Sequence, residues 1–328
     1  MANVNMKVVS MVLLILFTSA QVITLKYAQS IKPYKSVTAV MMGELMKLVF
    51  SFMLICSEQG SIKKGVYVVT RTLQKSRDQI ARTSVPAILY TIQNNFMYLA
   101  VDNLEAAVFQ VCSQLKLLTA ALFSVTFLHK RLSLMQWISL LILSTGIIFI
   151  NYDNSTSKSK SEHANFFLGM ISVVICSLTS GFAGVYTEKM VKDKRFSIWL
   201  NNFWLAFWSL IMGLLMLAVR DPSSLKYENF FDGYTVWSWL AIFLLAIGGL
   251  IIAMVLKYAD NILKAFGGSI SIILSSLASV YLFDFKITFY FIVGCLLVIV
   301  ATLMYNYGAM PPKQYKSLPQ EEPVLLKL

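Results

Sequence analysis

Ten blocks of about 18 to 24 apolar residues, each bounded by charged or polar clusters, constrain this sequence more than any other feature. At 1.5 Å per residue such a block crosses a hydrocarbon core about 30 Å thick, and in lipid only a helix or a closed barrel satisfies its backbone. The blocks fall near residues 8–26, 37–57, 84–101, 104–128, 134–151, 166–187, 199–219, 235–256, 263–283 and 288–307, with ends placed to about three residues. The fold class expected is all-α integral membrane with ten transmembrane helices. A soluble alternative fails on composition. Only 13% of the 328 residues are charged and 57% are hydrophobic, whereas a soluble domain carries about 25% charged residues.

The net charge of +12 would suggest nucleic acid in a soluble protein. Here most basic residues lie between apolar blocks, where they set orientation, and no basic domain stands outside the membrane. Cys56, Cys112, Cys176 and Cys295 all fall within blocks and form no CxxC pair, which argues against a disulfide framework or a metal site. Lys7, the apolar run Val8 to Phe17, and then Thr18, Ser19 and Ala20 have the outline of a signal peptide. The run continues through Gln21 to Leu25, so an uncleaved first span is expected. Between Glu58 and Thr83 the chain is too charged to insert, and Val66 to Leu73 is expected to lie on the membrane surface as an amphipathic helix. A transporter domain is expected over 1–310, in halves of about 1–152 and 166–310. The polar, proline-containing tail over 311–328 is expected to be disordered and cytosolic.

Basic residues predict the orientation. With the N-terminus cytosolic, about 18 Lys and Arg fall on that side and 8 on the other, so both termini are expected in the cytosol. The sequon Asn154-Ser155-Thr156 then lies in a lumenal loop. The halves are weakly related: Asp102-Asn103-Leu104 opens span four and Asp260-Asn261-Ile262 opens span nine, and the following spans end in Asn151-Tyr152 and Asn306-Tyr307. Five is an odd number, so a duplication would give two inverted five-helix repeats, with a substrate site near the midplane between them.

Charges inside spans must face protein or an aqueous cavity. Glu44 and Lys47 are three apart on span two and share a face, suiting either a structural pair or a gate or substrate contact. Lys116 has no acid within four positions, only Ser113, Gln110 and Gln114. Halfway along its span it needs a counter-anion, supplied by a ligand or by another helix such as that of Glu44. Span three carries Tyr90, Asn94 and Tyr98 at intervals of four, with Gln93 and Asn95 beside them. Amides and phenols suit the edge and face of a heterocyclic base, although interhelical bonding is their commoner use in membranes. Span nine sets Gly268, Ser271, Ser275 and Ser279 on one small, polar face, which close packing also explains. Lys264 at its start combines a charge with the free N–H groups of a helix N-terminus, a place for phosphate. His129 and His163 lie in loops on opposite sides, and no Walker loop, GxSxG or HExxH is present. An enzyme is therefore not expected, nor a cofactor or metal.

Four stretches carry a resemblance: Val85 to Asn95 (VPAILYTIQNN), Gln110 to Val125 (QVCSQLKLLTAALFSV), Ser180 to Lys189 (SGFAGVYTEK) and Gly248 to Phe266 (GGLIIAMVLKYADNILKAF). Through them the chain resembles the nucleotide-sugar transporters of the drug/metabolite transporter superfamily, in the branch that carries UDP-galactose, UDP-N-acetylglucosamine and CMP-sialic acid. The resemblance implies ten helices, Golgi residence and antiport of a nucleotide sugar against a nucleoside monophosphate. It implies phosphate contacts from Lys116 and Lys264, and substrate contacts from Asn94, Asn95 and Tyr90. Tyr98, Glu44, Lys47, Ser113, Gln114, Asn202 and Ser271 complete the candidate substrate-binding set. Ser113 stands where relatives usually have Tyr, and Asn201-Asn202-Phe203-Trp204 where they have Arg-Asn-x-Gln, so contacts of those lost groups are not carried over.

The stretches LLTAALFSV and KYADNILK are more similar to UDP-sugar carriers than to CMP-sialic acid carriers. The expected function is exchange of cytosolic UDP-N-acetylglucosamine or UDP-galactose for lumenal UMP by alternating access. The alternatives are a CMP-sialic acid/CMP exchanger, a superfamily carrier for another phosphorylated solute, and a non-transporting scaffold. Expected partners are the nucleotide sugar, the nucleoside monophosphate and membrane lipid, with self-association or glycosyltransferase docking left open. Glu321, Leu325 and Leu326 are spaced like an acidic dileucine signal for endosomes or lysosomes, a second address beside the Golgi.

Overall fold

The structure, a computed structural model, describes residues 2–104, 106–151, 165–193, 195–220, 222, 230–283 and 287–308. The sequon at 154–156, the tail 311–328 and the side chains of Tyr98, Asp102 and Gln110 lie outside the described residues. Among those described the regular secondary structure is all helical: α1 (Ala2–Ile31), α2 (Ser36–Gln59), α3 (Ile62–Lys75), α4 (Arg77–Asn103), α5 (Ala106–Ser113), α6 (Leu115–Leu128), α7 (Leu134–Asn151), α8 (Phe166–Lys192), α9 (Ile198–Arg220), α10 (Val236–Tyr258), α11 (Asn261–Phe283) and α12 (Phe289–Tyr307).

Seven of these helices, α1, α2 and α8 to α12, are both long and apolar enough to cross a membrane. This is the architecture of a multi-pass membrane protein. The other three expected spans fall short for separate reasons. α4 is 27 residues long but holds Arg77, Asp78, Arg82, Gln93, Asn94 and Asn95. α7 is apolar but only about one crossing long. The block expected as one helix over 104–128 is divided at Gln114, where Leu117 N bonds Gln114 O at 3.0 Å, so α6 starts afresh at Leu115. Surface helix α3 is longer than expected and packs on α2 and α4, with Val68 and Val69 against a core of Ile55, Ile80, Phe196, Leu200 and Trp204.

The packing follows a rule of exchange. The most extensive contacts among the described residues are α7 on α12, α2 on α9, α4 on α8 with α1 on α10, α6 on α8 with α1 on α11, and α4 on α9 with α2 on α10. Exchanging α1 with α8, α2 with α9, α4 with α10, α6 with α11 and α7 with α12 carries each of these onto itself or onto another. The α7–α12 crossing is close because both sides are glycine: a Cβ on Gly294 would lie 2.7 Å from Gly146 O, and one on Gly146 would lie 3.0 Å from Gly294 O. Gly43 lies against Leu245 and Gly249 against Lys47, so α2 and α10 run in the same direction.

Candidate substrate site

Two cavities lie between these helices. The first, of about 480 Å³, is bounded by α2, α4, α8, α9 and α10, and its polar lining includes Glu44, Lys47, Tyr90, Asn94, Asn202 and Lys264. The second, of about 550 Å³, is bounded by α4, α5, α6, α8 and α11, and holds Ser113, Gln114, Lys116 and Lys264. Both volumes suit a small-molecule site. Lys264 lines both, so a ligand reaching from one to the other passes this ammonium.

The helix breaks place the two lysines. Asp260 Oδ1 accepts from Leu263 N at 2.7 Å and starts α11, which puts Lys264 in its first turn. The break at Gln114 puts Lys116 in the first turn of α6, where an unbroken helix would have left it mid-helix. Both lysines thus stand in the first turn of a helix; at α11 dipole and charge favour the same anion, whereas at α6 the end of α5 abuts and the lysine itself supplies the charge. Neither makes an ion pair among the described residues. Glu44 is not the partner of Lys116: both its oxygens go to Lys47, at 2.7 and 2.6 Å.

The remaining candidates divide. Tyr90 and Asn94 face the first cavity and Gln93 the second, so α4 presents its polar residues to both. Asn95 lines neither: its Nδ2 donates to Thr91 O at 2.9 Å and approaches Met216 Sδ at 3.3 Å. Ser271 also lies apart, donating to Gly267 O at 3.0 Å and Ile15 O at 3.2 Å in the α1–α11 packing. The Tyr98 side chain is outside the description. Sequence reasoning missed Thr187 and Asn201 in the first cavity and Cys176 and Asn261 in the second. Adjacent Asn201 and Asn202 within an apolar block were the available signal.

It also missed Glu188, the one acid in the block over 166–192. This carboxylate is fully buried. Lys130, in the α6–α7 loop, reaches Glu188 Oε1 at 2.7 Å and Asp260 Oδ2 at 3.5 Å. Lys192 donates to Glu188 Oε1 at 2.7 Å and to Ala259 O at 2.8 Å. Asn261 N donates to Glu188 Oε2 at 2.9 Å. Three segments are thereby tied at one end of the bundle, the end at which α10 finishes. At the opposite end Ser36, Val37 and Val40, which begin the lining of the first cavity, are exposed. At the tied end its lining residues Val191, Asn201, Asn202 and Leu256 are buried.

A family model described as nucleotide-sugar transporter matches residues 2–306. This chain belongs to the nucleotide-sugar transporter family. Curated relatives agree with the match. The UDP-N-acetylglucosamine transporter of Homo sapiens is 39% identical over 315 residues, covering 94% of this chain and 97% of that one. The UDP-galactose transporter of Schizosaccharomyces pombe is 42% identical over 318 residues, covering 94% and 90%. The UDP-N-acetylglucosamine/UDP-N-acetylgalactosamine transporter of Caenorhabditis elegans is 41% identical over 318 residues, covering 92% and 94%. One solved crystal structure superposes with a TM-score of 0.66 at 15% identity, covering 92% of this chain and 96% of that one, a likeness of fold alone. These curated relatives are all named as transporters.

Proposed function

We propose that this chain exchanges cytosolic UDP-N-acetylglucosamine or UDP-galactose for lumenal UMP in the Golgi membrane. One observation carries the reading: two lysines without ion-pair partners among the described residues, one from each half, face a single cavity, and Lys264 also lines the neighbouring cavity with its amides and phenol. An unpaired ammonium inside a membrane protein needs an anion, and a nucleoside diphosphate sugar supplies two phosphates. The uracil would lie in the first cavity against Tyr90 and Asn94, with Asn201 and Asn202 within reach. The diphosphate would lie at Lys264 and Lys116, with the sugar in the second cavity beside Gln93 and Asn261.

Ten spans, both termini in the cytosol and two inverted halves complete the proposal. The exchange rule of the packing supports the repeat, and the excess of basic residues supports the orientation. In this orientation the Glu188 cluster closes the cytosolic end while the first cavity opens toward the lumen. Alternating access would then require the Lys130, Lys192 and Asn261 contacts to part. Reconstituted vesicles test the exchange: those loaded with UMP should take up UDP-sugar much faster than empty ones, because an empty carrier turns over with its lysines uncompensated. Equal rates with and without internal UMP would reject strict exchange, and no uptake of any nucleotide sugar would reject the function.

A further inference from the structure

A third cavity, of about 380 Å³, lies at the Glu188 end of the bundle, apart from both lysines of the substrate site. Two kinds of chemistry meet in its wall. The first is cationic. Arg82, near the start of α4, and Lys189, in the last turn of α8, are exposed and make no ion pair among the described residues. The acid beside them is already engaged: Asp193 Oδ2 accepts from Arg195 Nε at 2.9 Å and from Nη2 at 2.7 Å. Burial pushes the Asp193 carboxyl up, but the hydrogen bonds and charge of Arg195, with the charge of Arg82, outweigh it and hold the group below the usual carboxylate range. Arg82 and Lys189 are left as a surplus of positive charge.

The second kind is aromatic. Phe127 and Phe182 line the same cavity with ring centroids 5.3 Å apart, and Phe123 continues the series 5.6 Å from Phe182. Phe127 is 47% exposed, so the ladder descends from the charges along a surface open to lipid. A soluble anion would use the charges and leave the ladder idle, and a zwitterionic lipid would do the reverse.

We propose that this cavity binds an anionic phospholipid whose headgroup carries a phosphomonoester, with the phosphate between Arg82 and Lys189 and an acyl chain along Phe127, Phe182 and Phe123. A phosphomonoester carries about −1.5 to −2 at neutral pH, matching two cations, and basic pockets between spanning helices are suited to such headgroups. Met190 lines both this cavity and the first central one, so the lipid site shares a wall with the proposed substrate path.

The test uses the full chain in detergent with short-chain phosphatidylinositol 4-phosphate as the probe. Phosphatidylcholine of equal chain length and the soluble inositol phosphate headgroup serve as comparisons. The melting midpoint should rise saturably with the phosphoinositide, should not respond to phosphatidylcholine, and should need roughly tenfold more of the soluble headgroup. Joint Arg82→Gln and Lys189→Gln substitution should raise the half-saturating phosphoinositide concentration by roughly tenfold or more. Phe127→Ala keeps both charges and should narrow the gap between lipid and soluble headgroup. An unchanged half-saturation in the double variant, an equal response to phosphatidylcholine, or equal potency of the soluble headgroup would each overturn the proposal. The response to UMP, measured separately, reports on the central cavities, so its loss would count against the exchange reading and leave the lipid site standing.

Discussion

Glu188 accepts the backbone N–H of Asn261 at 2.9 Å, so a fully buried acid on α8 caps the break at which α10 gives way to α11. The same carboxylate holds Lys130 and Lys192. Removing one partner of a buried pair costs about 3 to 5 kcal/mol. Here the loss should be smaller, because the Lys192 side chain is 37% exposed and water can take part of its charge. Glu188→Gln is expected to lower the melting midpoint in detergent clearly, and Glu188→Asp to lower it less. A Glu188→Gln protein that melts with the wild type would show that the cluster does not hold this end together.

The unpaired lysines make the opposite prediction. Lys116→Ala and Lys264→Ala should each weaken UMP binding by about 1.5 to 3 kcal/mol, or roughly ten- to hundredfold, through loss of a charge-assisted phosphate contact. Without ligand both variants should be at least as stable as the wild type, since each loses a charge that has no ion-pair partner among the described residues. Thermal shift with and without UMP separates the two effects. Unchanged UMP affinity in both variants would remove the phosphate role.

Gly294→Ala tests the α7–α12 crossing. The new Cβ would meet Gly146 O and Ile150 N, each at 2.7 Å, and backbone cannot turn aside as a side chain can. Overpacking of this kind costs about 1 to 3 kcal/mol. Gly248→Ala is the control, since the nearest atom to its new Cβ is Gln21 Oε1 at 3.7 Å. Loss of thermal stability should appear in the first variant alone, and equal melting of the two would show that the crossing tolerates a methyl group.

The orientation is open to a direct check. In sealed vesicles with the cytosolic face outward a protease added outside should cut the loop from Glu58 to Thr83, while Asn154 should accept glycan only on the lumenal side. Cleavage of that loop only after the vesicles are opened would reverse the topology.

Much of this architecture was legible because lipid imposes a length rule on apolar blocks and a cost on charges inside them. That cost singled out Lys116 and Lys264, which share a cavity, and Glu44 with Lys47, which pair with each other. Asn95 was less legible: it stands one residue, about 100° of helical turn, from cavity-lining Asn94 and faces Met216 instead. The interruption at Gln114 carries neither glycine nor proline, the residues that usually announce one. Glu188 was least legible. Its partners Lys130 and Asn261 lie 58 and 73 residues away, and only the folded bundle brings the three together.

If the chain works as the exchanger proposed above, the clamp at Glu188 has a kinetic meaning. Contacts made only while one end is shut multiply the population of that state relative to the other by a fixed factor, and where the shut state dominates they reduce by nearly the same factor the fraction of carriers able to accept solute from the shut side. Apparent affinity on that side falls by this factor, while on the open side it gains only the small remainder. Detailed balance forbids any net bias from such an asymmetry. Loosening the clamp would therefore move the half-saturating concentrations measured in the two compartments in opposite directions and leave the final distribution of solute untouched.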